Sequence, residues 1–509
     1  MTQVTAKLIR LHAGDNVALA AESLARGSRL DDKNLTCTAD VPAGHKVALT
    51  PISKGDPVHK YGTLIGHALT DIEPGDHVHS HNLAMSDHSQ EYRVGVDAKP
   101  TSVLPPEQRA VFQGYVRGNG KVGTRNYIGV LSTVNCSASV SHFIADQAET
   151  LLKDQLDNID GIVGVSHGAG CCMTIGGEGL EILQDSLAGF ARNPNFCAVL
   201  VVGLGCEVNL VSTFMESSGL STGPLLATLD IQELGGTAKT VAAGVEKIRE
   251  MLPRLSHIKR ETVSAEHLMV ALECGGSDAY SGISSNPALG AAADLVVQHG
   301  GTVILAETPE IYGAEHLLIQ RAESQEVADK LIDRIKWWEG YTEKHGAQIN
   351  NNPTPGNKEG GLTTILEKSL GAVAKAGTTN LKDVFRYAKP VTTRGMVFMD
   401  TPGYDIASIT GMIAGGANMV CFTTGRGTVV GFKPVPTLKL SSNTAMYQRM
   451  SDDIDINCGP VVDQGVGIRE MGDTIFQAIL DTASGTLSKS EAYGFGDNEF
   501  VPWHIGAVL

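Results

Sequence analysis

Four segments of the chain end in the same way: a run of apolar residues stops and a thiol follows, close to glycine and to a polar or acidic side chain. Cys136 comes after "NYIGVLSTV", and His167, Cys171 and Cys172 come after "GIVGV"; Cys206 and Glu207 follow "FCAVLVVG", and Cys274, Ser277, Asp278 and Ser281 follow "HLMVALE". Each apolar run has the length and composition of a buried strand, and in an open parallel sheet ligands bind beyond the carboxyl ends of the strands. The expectation is that these loops converge on one site. Thiolates there suit iron or zinc, and carboxylates suit iron, manganese or magnesium. Against this stands the ordinary fate of a strand-end cysteine, to pack as a small hydrophobe; Cys37, Cys197, Cys421 and Cys458 are read that way. No CxxC pair occurs, so a zinc ribbon is not expected.

Other loops carry groups that would hold a polar anion. "ILAETPEIYGAEH" places Glu307, Glu310 and His316 after a strand, and "NNPTPGNKEGGLTT" is a stiff polar loop with Asn357 and Lys358. "VCFTTGRGT" sets Arg426 beyond a strand, where a guanidinium can take a carboxylate through two parallel hydrogen bonds. In "HVHSHN", His77, His79 and His81 alternate; that spacing permits metal binding, and a solvated strand face is the favoured reading. "GNGKVG", residues 118 to 123, matches G-x-G-x-x-G but precedes a strand and opens no helix, so nicotinamide binding is not expected.

The elements that must position these groups fall into three textures. Residues 1–90 are short β-like runs broken by glycine turns and read as a small β-rich domain. Residues 91–112 are polar, proline-bearing and aperiodic, a linker. From 113 onward strands alternate with amphipathic helices, the pattern of an α/β fold with parallel sheet, with a boundary near 260 giving units 113–260 and 261–509. A chain of 509 residues with 42% hydrophobic and 19% charged residues is expected to be soluble and multidomain. Its formal charge of -16 argues against nucleic acid or an anionic membrane as partner. No signal peptide or membrane-length apolar run is evident, so a cytoplasmic protein with reduced cysteines is expected.

Taken in order, "VPAGHKVALTPISKGDPVHKYGTLIGHAL", "GNGKVGTRN", "VVGLGCE", "ECGGSDAYSGISSNPALG", "NPTPGNKEGGLTTILEKSLG" and "FTTGRGT" resemble the altronate and galactarate dehydratases, hydro-lyases of sugar acids. "HVHSHN" and "PEIYGAEHLL" look more like the altronate branch. The chain departs from the family pattern at Ala169, where that pattern has Tyr. The resemblance implies an amino-terminal β-clip domain of the SAF type, a linker, a middle α/β domain used for dimerisation, and a Rossmann-like carboxyl-terminal domain that binds metal. It implies a homodimer that dehydrates a small hydroxy acid, D-altronate first, to a 2-keto-3-deoxy acid. Iron (Fe2+) is the implied cofactor, with Mn2+ or an iron–sulfur cluster as alternatives. On this reading Cys136, Cys171, Cys206 and Cys274 are metal ligands. His167 is the favoured acid or base, with Glu207, Asp278 and Glu307 as alternates. Arg426, Lys358 and Asn286 hold the substrate, joined by His45 and Lys46 when the β-clip folds over the cleft. The alternatives are lyases of galactarate, another aldonate or aldarate, or sulfolactate, and a non-catalytic sugar-acid-binding protein.

Overall fold

The computed structural model describes residues 7–30, 35–85 and 92–506. The amino-terminal unit is made of short strands: β1 (Leu8–Ile9), β2 (Val17–Ala20), β3 (Lys46–Ala48), β4 (Pro57–Lys60), β5 (Thr63–Ala68), β6 (His77–Val78) and β7 (Leu83–Ala84). They pair antiparallel in two sheets, β1-β2-β3-β6 and β4-β5-β7. Val17, Ala48, Ile52, Val58, Ile65 and Val78 close a core between them. One turn shows why glycine punctuates this part: Gly75 has φ +92°, and a Cβ there would stand 2.1 Å from the carbonyl oxygen of Thr36.

Residues 92–110 are laid along the carboxyl-terminal unit. Tyr92 Oη donates to Glu315 Oε1 at 2.8 Å, Gly95 N to Ile319 O at 3.1 Å and Leu104 N to Gln298 O at 2.8 Å. Residue 91 of the expected linker and residues 86–90 before it lie outside the described residues.

Two parallel sheets follow. β8 (Val111–Val116) and β9 (Val122–Gly123) lead into β10 (Tyr127–Ser132), β11 (Gly161–Val165), β12 (Phe196–Gly203) and β13 (Leu226–Asp230). The last four form a parallel sheet in the order β11-β10-β12-β13. β10, β11 and β12 are buried along their whole length, as strands covered by helices on both faces must be. β14 (Glu261–Ser264) returns to pair with β8. The chain then enters a seven-stranded sheet of β15 (Met269–Cys274), β16 (Thr302–Leu305), β17 (Leu381–Phe385), β18 (Gly395–Met399), β19 (Met419–Thr424), β20 (Thr437–Ser441) and β21 (Ile456–Asn457). Its order is β17-β18-β16-β15-β19-β20-β21, and every neighbouring pair is parallel. The chain runs outward from β15 on one side and returns to its other side with β19, so the winding reverses between them, where doubly wound folds bind ligands.

The two parallel sheets share one core through the helices Glu178–Ala191 and Asp405–Gly415. These helices touch backbone to backbone: a Cβ on Gly189 would lie 2.3 Å from Ala414 O. Among the described residues no helix is long and apolar enough to cross a membrane.

Candidate active site

At the carboxyl end of β15 the chain leaves the sheet through Glu273, Cys274 and two glycines. Cys274 Sγ, buried, donates to Glu310 Oε2 at 3.0 Å and accepts from Lys375 Nζ at 2.7 Å. Lys368 Nζ lies 3.0 Å from Glu310 Oε1. Glu307 sits just beyond β16 with φ +66°, a backbone conformation costly for any residue but glycine. Cys274, Glu307 and Glu310 offer ligand atoms within 4.8 Å of one another, the one such group found among the described residues.

Charge explains why this cluster could hold a cation. Four buried or nearly buried carboxyl groups, Glu273, Glu307, Glu310 and Asp405, face two ammonium groups, Lys368 and Lys375. Burial alone would raise the Glu310 carboxyl, but Lys368 and Lys375 overcome it and hold it well below the ordinary range. The others lack enough cation: burial, then mutual repulsion, pushes Glu307 far up, burial raises Glu273, and Asp405 is pushed up to about 7. Glu273 Oε2 and Glu307 Oε2 are buried with no hydrogen-bond partner. A divalent ion would balance the two surplus charges and take up those oxygens, so the residues present fit one.

The two glycines join this cluster to a crevice at the point where the winding reverses. A Cβ on Gly275 would lie 1.9 Å from Asp405 Oδ2; one on Gly276 would face Arg426 Cβ at 3.3 Å. Beyond Gly276 opens a cavity of about 300 Å³ whose lining includes Asp278, Tyr280, Glu359, Arg426, Asn443 and Arg449. Asp278 is anchored on its floor: Oδ1 accepts from Ser281 N, Ser281 Oγ and Ser442 Oγ, each at 2.8 Å, and Oδ2 from Asn443 Nδ2 at 3.0 Å. Arg426, exposed, donates to Glu359 Oε2 at 3.0 Å.

Residues 351–361 form the wall that the amino-terminal unit leans on. The backbone carbonyls of Lys358 and Glu359 bond His79 Nε2 at 2.9 Å and His45 Nε2 at 3.1 Å, while the Lys358 side chain is exposed. His45 Nδ1 meets His77 Nε2 at 3.0 Å, and the His45 and His79 rings stack 4.9 Å apart. His77 and His79 are therefore half-buried against the carboxyl-terminal unit, not a solvated strand face, and burial is the first cause that pushes each down to about 4. Lys46 is wholly buried: Nζ donates to Gly361 O at 2.7 Å and to Glu367 Oε2 at 2.9 Å. Lys60 Nζ donates to Glu367 Oε1 at 2.8 Å. This buried triad spans the two units. Asn286 ties β19 to its neighbours by accepting from Thr423 Oγ1 at 2.6 Å and donating to Gly371 O at 3.0 Å.

The four thiol loops do not share one end. Cys136, Cys171 and Cys206 follow β10, β11 and β12 on the middle sheet, and Cys274 follows β15 on the other, because the chain completes the middle sheet with β13 before it begins the seven-stranded one with β15. On the middle sheet, His167 uses both ring nitrogens within the loops, bonding Ser132 O through Nε2 at 3.1 Å and accepting from Ala169 N at Nδ1 at 3.1 Å. Glu207 accepts from Thr133 Oγ1 at 2.8 Å, Leu204 N at 3.1 Å, Gly205 N at 2.7 Å and Cys206 N at 2.9 Å. Against burial that would raise it, these donors hold the carboxyl below its ordinary range. The opening thiol-plus-acid pair thus divides its labour: Glu207 clamps the loops and leaves Cys206 exposed.

Sequence reading missed Lys368, Lys375, Glu273 and Asp405. The first two lie on or just after the helix Ile365–Val373, where lysine ordinarily reads as a solvated face, yet both are buried. "MDTPGYD" after the apolar run of β18 was the available signal for Asp405.

Comparison with known proteins covers most of the chain. Residues 6–86 match the altronate/galactarate dehydratase SAF domain. Residues 114–256 match the second domain of D-galactarate dehydratase/altronate hydrolase, and residues 265–508 the carboxyl-terminal domain of D-galactarate/altronate dehydratase. The chain is 36% identical over 494 residues to altronate dehydratase of Escherichia coli K12, covering 96% of this chain and 97% of that protein. It is 34% identical over 491 residues to galactarate dehydratase (L-threo-forming) of the same organism, covering 94% and 93%. The beta subunit of (2R)-sulfolactate sulfo-lyase from Chromohalobacter salexigens is 32% identical over 393 residues, 77% of this chain and 96% of that subunit.

Proposed function

The chain belongs to the altronate/galactarate dehydratase family, and on that premise we propose that it is a metal-dependent hydro-lyase that removes water from D-altronate to give a 2-keto-3-deoxy acid. The observation that carries this reading is the buried Cys274, Glu307 and Glu310 group, with Glu273 and Asp405 beside it, set close to a crevice that holds Arg426 and Arg449.

Cys274, Glu307 and Glu310 would hold the ion, iron first and manganese second. When bound, a divalent ion supplies a Lewis acid that makes the proton next to a carboxylate easier to remove. The remaining steps belong to the chain. Arg426 and Arg449 hold the substrate carboxylate in the crevice, with Asp278 and Asn443 fixing its floor. Asp405, held over Gly275 and only partly exposed, takes the C2 proton. The C2–H electron pair becomes the C2–C3 double bond and the C3–O bond breaks. The hydroxyl leaves as water with a proton from the ammonium pair Lys368 and Lys375, and the resulting enol tautomerises to the ketone. His45 and His79, neutral, bond the backbone carbonyls of residues 359 and 358 and so fix the loop whose Glu359 lines the crevice.

Altronate is favoured over a dicarboxylate by charge. The crevice lining sets Arg426 and Arg449 against Asp278, Glu359 and Asp463, and Glu359 already pairs with Arg426, so the cations present suit one carboxylate rather than two. Anaerobically purified protein loaded with iron should convert D-altronate at least about 10-fold more efficiently than galactarate. Preference for galactarate or sulfolactate would replace the substrate, and binding of altronate without turnover would replace the catalytic reading by that of a sensor.

A further inference from the structure

Glu307 carries the chain from β16 into the short helix Thr308–Ile311 with φ +66° and ψ 75°. A glutamate stays in this left-handed conformation only where its surroundings over-determine it. Those surroundings come from the neighbouring strand. β18 lies parallel to β16 with Phe398 opposite Leu305, so the residues that follow the two strands leave the sheet side by side. There Glu307 N donates to Thr401 Oγ1 at 2.9 Å, Thr308 N to Thr401 O at 3.1 Å and Thr308 Oγ1 to Asp400 Oδ1 at 2.6 Å.

The two gripping residues are themselves held. Thr401 Oγ1 spends its own proton on Ser408 Oγ at 2.9 Å, which leaves its lone pairs for the Glu307 amide. From the helix Gln325–Lys344, Trp338 Nε1 donates to Asp400 Oδ1 at 2.8 Å and Arg334 Nη1 stands 3.7 Å from Asp400 Oδ2. Thr308, Trp338, Asp400, Thr401 and Ser408 are all buried. Burial raises the Asp400 carboxyl, and the Thr308 hydroxyl and Trp338 indole act against that rise by donating to it. A buried carboxylate that accepts from two distant segments fixes both, because either donor left unpaired there is costly.

We propose that Asp400 and Thr401 are positioning residues for Glu307: they hold the 307–308 peptide in the turn that presents the Glu307 carboxylate to Cys274 and Glu310, and Trp338 orients Asp400 in turn. The inference rests on the reading of Cys274, Glu307 and Glu310 as the ligands of a divalent ion. Relaxation of Glu307 to an ordinary helical φ of about −60° would redirect its side chain and take the carboxylate out of the group whose ligand atoms lie within 4.8 Å. Losing a partner that orients a ligand from behind typically costs about 10–100-fold in metal affinity.

Anaerobic titration of the full chain with Mn2+, followed by the electron paramagnetic resonance signal of the free ion, reads that affinity without turnover. Mn2+ prefers carboxylate oxygen to the exposed thiols. Glu307→Gln should abolish the tight site and so defines it. Thr401→Val, which removes the hydroxyl, should weaken Mn2+ by about 10–100-fold, whereas Thr401→Ser, which keeps it, should bind as the wild type does. Trp338→Phe keeps the ring without the N–H and should weaken the ion by about 10-fold. Circular dichroism reports whether each variant is folded, and if Thr401→Val does not fold, Trp338→Phe decides. Wild-type affinity in folded Thr401→Val or Trp338→Phe, or a loss in Thr401→Ser equal to that in Thr401→Val, overturns the positioning role alone. A wild-type chain that binds no Mn2+, or binds it as tightly after Glu307→Gln, overturns the ligand reading and the positioning role with it.

Discussion

Lys375 Nζ lies 2.7 Å from Cys274 Sγ, and both side chains are almost wholly sealed from solvent. The same ammonium is 3.3 Å from Glu310 Oε2. A thiol, a carboxylate and an ammonium thus compete at one buried point, and the balance among them governs whether a cation enters.

That competition predicts a split between neighbouring variants. Lys375→Met removes positive charge and should keep or tighten divalent metal while lowering kcat by about 10²-fold or more. Glu310→Gln removes a ligand and should lose metal and activity together. Metal analysis of anaerobically purified protein, paired with kcat on D-altronate, reads both; equal metal content in the two variants would sink the ligand assignment.

Gly275 should tolerate no side chain. A Cβ would lie 1.9 Å from Asp405 Oδ2, so Gly275→Ala must displace the carboxylate. Its kcat should fall by about 10²-fold or more, as for Asp405→Asn, and the double variant should be little worse than either. Additive losses would show that the two do not act through one group.

The crevice arginines should act on binding. Arg449→Ala is expected to raise KM for altronate by about 10-fold or more with kcat nearly unchanged, the signature of lost uniform binding. A large drop in kcat at constant KM would move Arg449 from holding the substrate to the chemistry.

The buried triad gives a pH test of domain docking. Burial alone would raise the Glu367 carboxyl, but Lys46 and Lys60 overcome it and hold it far below the ordinary range. A carboxyl depressed in the folded state adds stability that is fully present above its unfolded value, about 4.3, and is lost as pH falls below that toward the folded value. The thermal midpoint should therefore drop below about pH 4. Glu367→Gln leaves two ammonium groups buried without a counter-charge; it should cost about 3–5 kcal/mol at pH 7 and flatten that acid-side fall. An unchanged midpoint profile in the variant would remove the triad from the account of docking.

The middle-sheet thiols show what was legible before the fold was known. Apolar runs ending in glycine and cysteine marked strand ends, and strands alternating with helices marked parallel sheet, because burial on both faces leaves a continuous hydrophobic run. The short glycine-broken runs of the first 90 residues marked the small β unit in the same way. His167 and Glu207 stood out for the right location, but their hydrogen bonds are fixed by Ser132, Ala169, Thr133 and Gly205, partners no local pattern reveals.

The sequence by itself determined that thiols, acids and arginines would lie at strand ends, since strand periodicity and turn chemistry are local properties of the chain. Only the tertiary structure decided which strand ends face one another. Strand order placed Cys274 on a different sheet from Cys136, Cys171 and Cys206 and brought Lys368, Lys375 and Asp405 from distant segments to Glu307 and Glu310. Strand order and the close packing of helix on sheet arise from contacts hundreds of residues apart, and those contacts settle the charge and burial on which the chemistry of a side chain depends.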